Sequence, residues 1–387
     1  MGPAGRLAEE SAFLTPAGVR HAMSEHSYRA AIVGTGAIAG AHATALQEHA
    51  DRARLTAVVD VDAGRARAFA ERWAVPTVAP DLAAVLADGV DLVHLCTPPS
   101  THLPLALECL RAGVTVLVEK PPTLSLAELD TLVDAAAAGN AHLATVFQHR
   151  FGAGAARLRA MTAAGDFGRP LLATCDTLWY RDDSYYAVPW RGNWDTEGGG
   201  PTMGHGIHQF DLLLSVLGPW EQVTAVAARR SRPVRTEDVS MALVTFADGT
   251  VASVVNSVVS PRQTSDLRFD FEYATVELSH LYGYTDDDWT VTPVPGHEAV
   301  AERWARQPST VVGGHTGQVA AVLDALDAGL PPPVTTADTR QTMEFVAAVY
   351  ASAFTGAPVH SGQIDASSPF ARRMNGAGAP WEAVPTR

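Results

Sequence analysis

From Tyr28 onward, short apolar runs alternate with amphipathic stretches of helical length. Residues 29–33, 54–60, 77–78, 91–95, 114–118 and 142–147 read as strands; 37–49, 64–73, 82–88, 104–112 and 126–138 read as helices. Strands that are nearly all apolar and separated by helices belong to a parallel sheet covered on both faces. The pattern therefore predicts an α/β first domain with a doubly wound sheet over residues 28–150.

After Arg150 the grammar changes. A helix over 154–164 leads through Gly165-Asp166-Phe167-Gly168 into a strand over 171–178. A stretch rich in Trp, Tyr and Gly follows, then a helix over 205–217. Long β segments come next, over 223–228, 239–246, 251–259, 267–272 and 274–278. Phe246-Ala247-Asp248-Gly249-Thr250 is a hairpin signal, and Phe269, Phe271 and Tyr273 alternate as one buried face should. These segments predict an α+β second domain over 151–359 with a large, mostly antiparallel open sheet. Helices over 317–328 and 339–355 close it, and 360–387 is a tail. Residues 1–27 lack both a periodic pattern and the charged start and apolar centre of a secretory signal, and are expected to be a disordered extension. Met23 is an alternative start.

Composition narrows the function classes. At 387 residues, 47% hydrophobic and 18% charged, the chain has the make-up of a folded globular protein with room for two domains. A formal charge of −14 argues against nucleic-acid or anionic-membrane partners, which need a basic face. Cys96, Cys109 and Cys175 lack CxxC spacing, so neither a disulfide framework nor a zinc site is expected, and a reducing cytoplasm suits them. No apolar run approaches the roughly 20 residues of a membrane-spanning helix.

Three motifs carry chemistry. Gly34-Thr35-Gly36-Ala37-Ile38-Ala39 follows the first strand and opens the first helix. It is the GxGxxA form of the dinucleotide fingerprint of a Rossmann domain, whose helix N-terminus receives a pyrophosphate. Asp60 ends the second strand, where an acid meets the adenosine ribose and repels a 2′-phosphate. NAD is therefore expected, with NADP kept as an alternative by the nearby Arg65. Asp60 can also be read as a turn residue before a helix. The loop Cys96-Thr97-Pro98-Pro99-Ser100-Thr101-His102 lies at the carboxyl edge of the sheet. Cys96, Thr97, Pro98 and His102 are expected at the cofactor, although Cys96 also reads as core.

The second motif is Val118-Glu119-Lys120-Pro121-Pro122 at the end of a buried strand. Burial lowers a lysine pKa from its ordinary value near 10.4 and makes it a usable proton donor and acceptor; taken alone, Lys120 also reads as a strand-end lysine reaching solvent. The third is Gly198-Gly199-Gly200-Pro201-Thr202-Met203-Gly204-His205-Gly206-Ile207-His208, which presents His208, a side chain suited to proton transfer near neutrality. His208 can also be read as a core histidine. Its spacing from His205 suggests a metal pair, but no third ligand stands at a recognisable spacing, so no metal is expected. Gln148, His149 and Arg150, together with Trp190-Arg191-Gly192-Asn193-Trp194, offer donors and aromatic faces for a polyhydroxylated ring. Trp190 and Trp194 can also be read as pins for a long loop. His315 is a further candidate.

In this order, the three motifs resemble the Gfo/Idh/MocA family of oxidoreductases, which includes glucose-fructose oxidoreductase and inositol dehydrogenases. The resemblance runs from about Tyr28 to Val359 and includes Gly356-Ala357-Pro358-Val359. It implies an NAD(P)-binding domain, here with Gly34, Thr35, Gly36, Ala37, Ile38, Asp60, Glu119 and Lys120 at the cofactor. It implies hydride transfer at a sugar, cyclitol or related polyol hydroxyl, with Lys120 and His208 as acid–base groups. Gln148, Arg150, Arg191, Trp194, His205 and His208 would face the substrate, and the C-terminal sheet would build a homo-dimer or homo-tetramer. Many members carry an aspartate four residues before the histidine; here that position is Gly204. His205, Asp195 or a water are the candidate substitutes, and a cofactor-binding sensor without turnover is the alternative function.

Overall fold

The computed structural model describes residues 27–306 and 313–381; all of the expected N-terminal extension except Ser27 lies outside the described residues. The first domain is a six-stranded parallel sheet in the order β3-β2-β1-β4-β5-β6. Its strands are β1 (Tyr28–Val33), β2 (Ala53–Val59), β3 (Thr77–Val78), β4 (Leu92–Leu95), β5 (Thr115–Val118) and β6 (Leu143–Thr145). The helices are α1 (Ala39–Glu48), α2 (Ala63–Trp73), α3 (Leu82–Ala87), α4 (His102–Arg111) and α5 (Leu126–Gly139). Every residue of β4 and β5 is buried, as two covered faces require. The strand order reverses between β1 and β4, so their carboxyl ends open a crevice there. Asp62, Asp81 and Ser125 cap α2, α3 and α5 by accepting backbone N–H bonds.

The second domain adds α6 (Ala153–Ala163), β7 (Pro170–Tyr180), α7 (Asp183–Tyr186), α8 (Ile207–Leu217), β8 (Trp220–Ala228), β9 (Val239–Phe246), β10 (Val251–Ser257), β11 (Val259–Phe271), β12 (Ala274–His280) and β13 (Trp289–Pro293). Then follow α9 (Ala299–Arg306), α10 (Gly314–Asp327), α11 (Thr336–Thr355), β14 (Val359–His360) and α12 (Pro369–Arg372). The eight strands run β13-β12-β11-β7-β10-β9-β8-β14, antiparallel except for β7 beside β10. Helices α8 and α11 pack on one face, where Phe210, Trp220 and Phe345 meet in the core. The other face leaves Leu172, Val226, Met241, Leu243 and Val251 exposed. No helix among the described residues is long and apolar enough to cross a membrane.

Several expectations shift. Helix α10, read as part of the second domain, packs on α1, and Val319, Val322 and Leu323 share a core with Ile32 and Leu46. Gln318 ties α10 to the first domain, accepting from the Phe147 amide at 3.1 Å and donating to Thr145 O at 2.7 Å. The segment read as a tail contributes Phe370 and Met374 to the main core, and β14 extends the sheet edge. The helix expected from His205 begins instead with a wide π turn, Thr202–Gly206. The chain is tightly packed there: a Cβ at Gly200 would collide with Glu237, and one at Gly206 with Asn256.

Candidate active site

A cleft of about 1190 Å³ runs from the carboxyl edge of the parallel sheet to the second domain. Its outer end is the β1–α1 turn. Gly34 has φ +89°, and a Cβ there would lie 2.8 Å from the Cys96 carbonyl, so only glycine fits. A Cβ at Gly36 would meet nothing within 4 Å: the turn faces open space beside a helix N-terminus, as a pyrophosphate site requires. Asp60 closes this end, accepting from the Thr35 amide at 2.7 Å and Thr35 Oγ1 at 2.8 Å. Arg65 grips it through Nη2 at 2.6 Å and Nε at 3.0 Å. Burial alone would raise the Asp60 carboxyl, but the bonds from Arg65, the Asp62 amide and Thr35 outweigh it and hold the group well below the usual carboxylate range. These residues fit a dinucleotide.

Strand β5 delivers Glu119 and Lys120 to the middle of the cleft. Glu119 is buried and bonds His42 Nε2 at 2.9 Å and His315 Nε2 at 3.2 Å, while His42 Nδ1 meets His94 Nδ1 at 2.8 Å. Burial would raise Glu119, yet the two imidazoles outweigh it and keep the carboxylate ionised. The ligand atoms of His42, Glu119 and His315 lie within 4.8 Å of one another, close enough to suggest a metal set. Hydrogen bonds from both imidazoles to one carboxylate account for that cluster.

Lys120 donates from Nζ to Gly204 O at 2.7 Å. Burial pushes its pKa down to about 8, with the charge of Glu119 opposing and those of Arg191 and Arg181 assisting. The side chain keeps partial access to cleft water; a bound substrate would remove that water and strengthen the push.

The inner end comes from the second domain: Trp179, Arg181, Tyr185, Trp190, Arg191, Glu197, His205 and Tyr282. Glu197 sits where the missing acid would be, for a Cβ at Gly204 would lie 3.6 Å from Glu197 Oε1. Its carboxylate accepts from the Gly192 amide at 2.6 Å and from Arg191 Nη1 at 3.3 Å. Burial raises its pKa, against those bonds and the charges of Arg191 and Lys120. Asp195 is excluded from this role, being exposed and paired with Arg373 and, at 3.9 Å, Arg235. His205 does line the cleft; burial, with Arg181 and Lys120 near, drives its pKa well below the ordinary value, so it is neutral.

The cleft thus gathers Gly34, Gly36, Ala37, Ile38, Asp60, Cys96, Thr97, Pro98, Glu119, Lys120, Arg191 and His205. Other expected residues lie elsewhere. His102 is buried behind the loop, bonding Thr97 O at 2.8 Å and Pro121 O at 2.9 Å. Arg150 is locked in a buried ion pair with Asp211 at 2.6 and 2.7 Å. Trp194 meets Tyr350 edge-on in the core and donates to Arg235 O at 2.8 Å, pinning its loop. Gln148 and His149 face a smaller cavity of about 250 Å³ with Tyr282 and His315.

His208 lines neither cavity. Its ring stacks on His149 with centroids 4.9 Å apart and meets Tyr282 edge-on at 5.7 Å. Neither ring nitrogen has a partner among the described residues. Burial and nearby Lys120 drive its pKa well below the ordinary value, so the imidazole is neutral.

Comparisons with known proteins bear on the two-domain fold. Residues 28–147 match the Gfo/Idh/MocA oxidoreductase family, NAD-binding Rossmann fold, and residues 155–277 match the Gfo/Idh/MocA C-terminal domain. The chain is 32% identical over 224 residues to D-glucoside 3-dehydrogenase of Escherichia coli, covering 57% of this chain and 62% of that relative, less than two thirds of its length. Identity is 33% over 243 residues to inositol 2-dehydrogenase 4 of Saccharopolyspora erythraea, covering 60% and 67%. The crystal structure of the WlbA dehydrogenase from Bordetella pertussis, in complex with NADH and UDP-GlcNAcA, superposes with a TM-score of 0.76 at 26% identity. That likeness covers 87% of this chain and 98% of the other.

Proposed function

The chain belongs to the Gfo/Idh/MocA oxidoreductase family, and on that premise we propose that it transfers hydride between NAD and a hydroxyl-bearing carbon of a sugar, cyclitol or related polyol, with Lys120 and His208 as its acid–base groups. The observation that carries the reading is the continuous cleft from the Gly34–Ile38 turn to Lys120 and on to the aromatic and arginine wall. WlbA's complex with NADH and UDP-GlcNAcA adds support, as do the dehydrogenase names of the sequence relatives.

When bound, the nicotinamide accepts or returns the hydride. The chain's own residues manage the proton and the position of the alcohol. Lys120, held by Gly204 O and near neutrality in pKa, takes the hydroxyl proton during oxidation and returns it during reduction. Glu197 supplies the negative charge that an acid at residue 204 would bring. His208 is the second station, a neutral imidazole with unpartnered nitrogens that a substrate hydroxyl reaches by displacing the Tyr282 ring. Asp60 favours NAD over NADP by charge. The outer sheet face, with Val226, Met241 and Leu243 exposed, is the surface for homo-dimer or homo-tetramer assembly.

A second reading, a cofactor-binding sensor without turnover, draws on one observation: His208 does not line the cleft. A screen of NAD reduction by absorbance against sugars, cyclitols and sugar acids, paired with calorimetry of NAD binding, separates the two. Reduction with at least one polyol is expected; tight NAD binding with no reduction by any compound would favour the sensor.

A further inference from the structure

The inner wall of the cleft has one cationic group more than its carboxylates can neutralise. Lys120, Arg181 and Arg191 line it, against Glu197 and, beside Lys120, Glu119. Glu197 pairs with Arg191. Arg181 has no carboxylate within ion-pair distance among the described residues.

Arg181 is nevertheless held in place. Its guanidinium carbon lies 4.7 Å from the ring centroid of Trp179 and 5.0 Å from that of Tyr185. Its Nε donates to His205 Nε2 at 3.2 Å, and Nη1 donates to Tyr180 O at 3.3 Å. A guanidinium fixed between aromatic faces and given no counter-charge presents a planar fork to the cleft, the geometry that grips a carboxylate or phosphate.

The surroundings strengthen the point. The chain as a whole carries −14 formal charges, a field that repels anions. A cationic patch inside such a molecule is a local feature with a local purpose. A half-buried, unpaired cation is costly until an anion arrives.

We propose that this wall recognises an anionic group on the substrate, a carboxylate or a phosphate ester carried by the polyol ring, with Arg181 as the principal contact and Arg191 beside it. The inference rests on the oxidoreductase reading of the same cleft and narrows its substrate class. Lys120 then faces the reacting hydroxyl while Arg181 sets which end of the ring points inward.

The test uses the NAD-saturated protein and matched compounds: D-glucose, D-glucuronate and glucose 6-phosphate, with myo-inositol and its monophosphate as a second set. Affinity is read by calorimetry and kcat/KM by NAD reduction. The charged member of at least one set should bind or react at least about tenfold better than its neutral partner, and Arg181→Gln should shrink that ratio roughly 10–100-fold, as loss of a charge-assisted hydrogen bond does. The preference should also weaken with added salt. A larger advantage for glucuronate assigns the site to carboxylates; a larger advantage for the phosphates assigns it to phosphate esters. Equal or better binding of the neutral members, binding of none, or a ratio unmoved by Arg181→Gln would overturn the inference. Lys120-dependent turnover of neutral compounds alone would keep the activity and remove the anion site. Preferential anion binding without reduction of any compound would do the reverse.

Discussion

Glu197→Gln and Arg181→Gln should move the pH dependence of turnover in opposite directions. In the oxidative direction Lys120 must be neutral to accept a proton, so kcat should rise with pH, bend near 8 and level off above it. Glu197 favours the charged ammonium and Arg181 opposes it. Lys120 Nζ lies 2.7 Å from Gly204 O, and Glu197 Oε1 stands 3.6 Å from where a residue-204 Cβ would be. Charges separated by about 7 Å at an effective dielectric near 40 interact by about 1.2 kcal/mol, which moves a pKa by nearly one unit. Removing the Glu197 charge should therefore lower the bend by up to roughly one pH unit, and removing the Arg181 charge, the weaker influence, should raise it by less. The assay is kcat from pH 6 to 10 at saturating NAD and substrate. A bend that stays in place in both variants, or shifts the same way in both, would refute the assignment of that limb to Lys120.

Other consequences can be checked independently. Arg150→Met leaves Asp211 buried without its partner, so the folded state should lose about 3–5 kcal/mol in urea unfolding at pH 7.5. Burial outweighs the Arg150 pair and holds Asp211 at about 6, above an ordinary aspartate. The folded state therefore binds this proton before the unfolded state does, and the group favours folding increasingly as pH falls from about 6 toward 4. In Arg150→Met that gain should begin at higher pH; a deficit independent of pH would contradict the pairing. Asp60→Ala removes the charge facing the ribose site and frees Arg65, so the NAD to NADP affinity ratio measured by calorimetry should fall about tenfold or more. An unchanged ratio would remove Asp60 from cofactor selection. Leu243→Asp places a charge on the exposed sheet face, and light scattering should then report a smaller particle than the unsubstituted chain forms; an unchanged mass would place the assembly surface elsewhere.

The parallel sheet was readable because its signals are local. Buried runs such as Leu92–Leu95 need no partner to announce themselves, and Gly34 and Asp60 stand at fixed offsets from strand ends. Helix α9 was missed, although Val300 and Trp304, four residues apart and both buried, were its available signal. The strand Trp289–Pro293 was missed because it is short and two-faced. The allegiance of α10 could not be read, since an apolar face of Val319, Val322 and Leu323 does not say which core it will join. Glu197 was also missed. It lies seven residues before Gly204, and only the path through Gly198–Gly200 and the following π turn folds its carboxylate back beside that glycine. Arg150 and Trp194 have the residue types of a sugar site, but Asp211 and Tyr350 claim them in the interior.

The central claim is that Lys120 exchanges the substrate proton in a cofactor-filled cleft. Lys120→Ala tests it most directly, with NAD affinity by calorimetry and kcat for the best polyol measured on the same preparation. The account predicts a loss of about 10²–10⁴-fold in kcat with NAD affinity changed by less than about threefold. Turnover within a few-fold of the unsubstituted protein would contradict it.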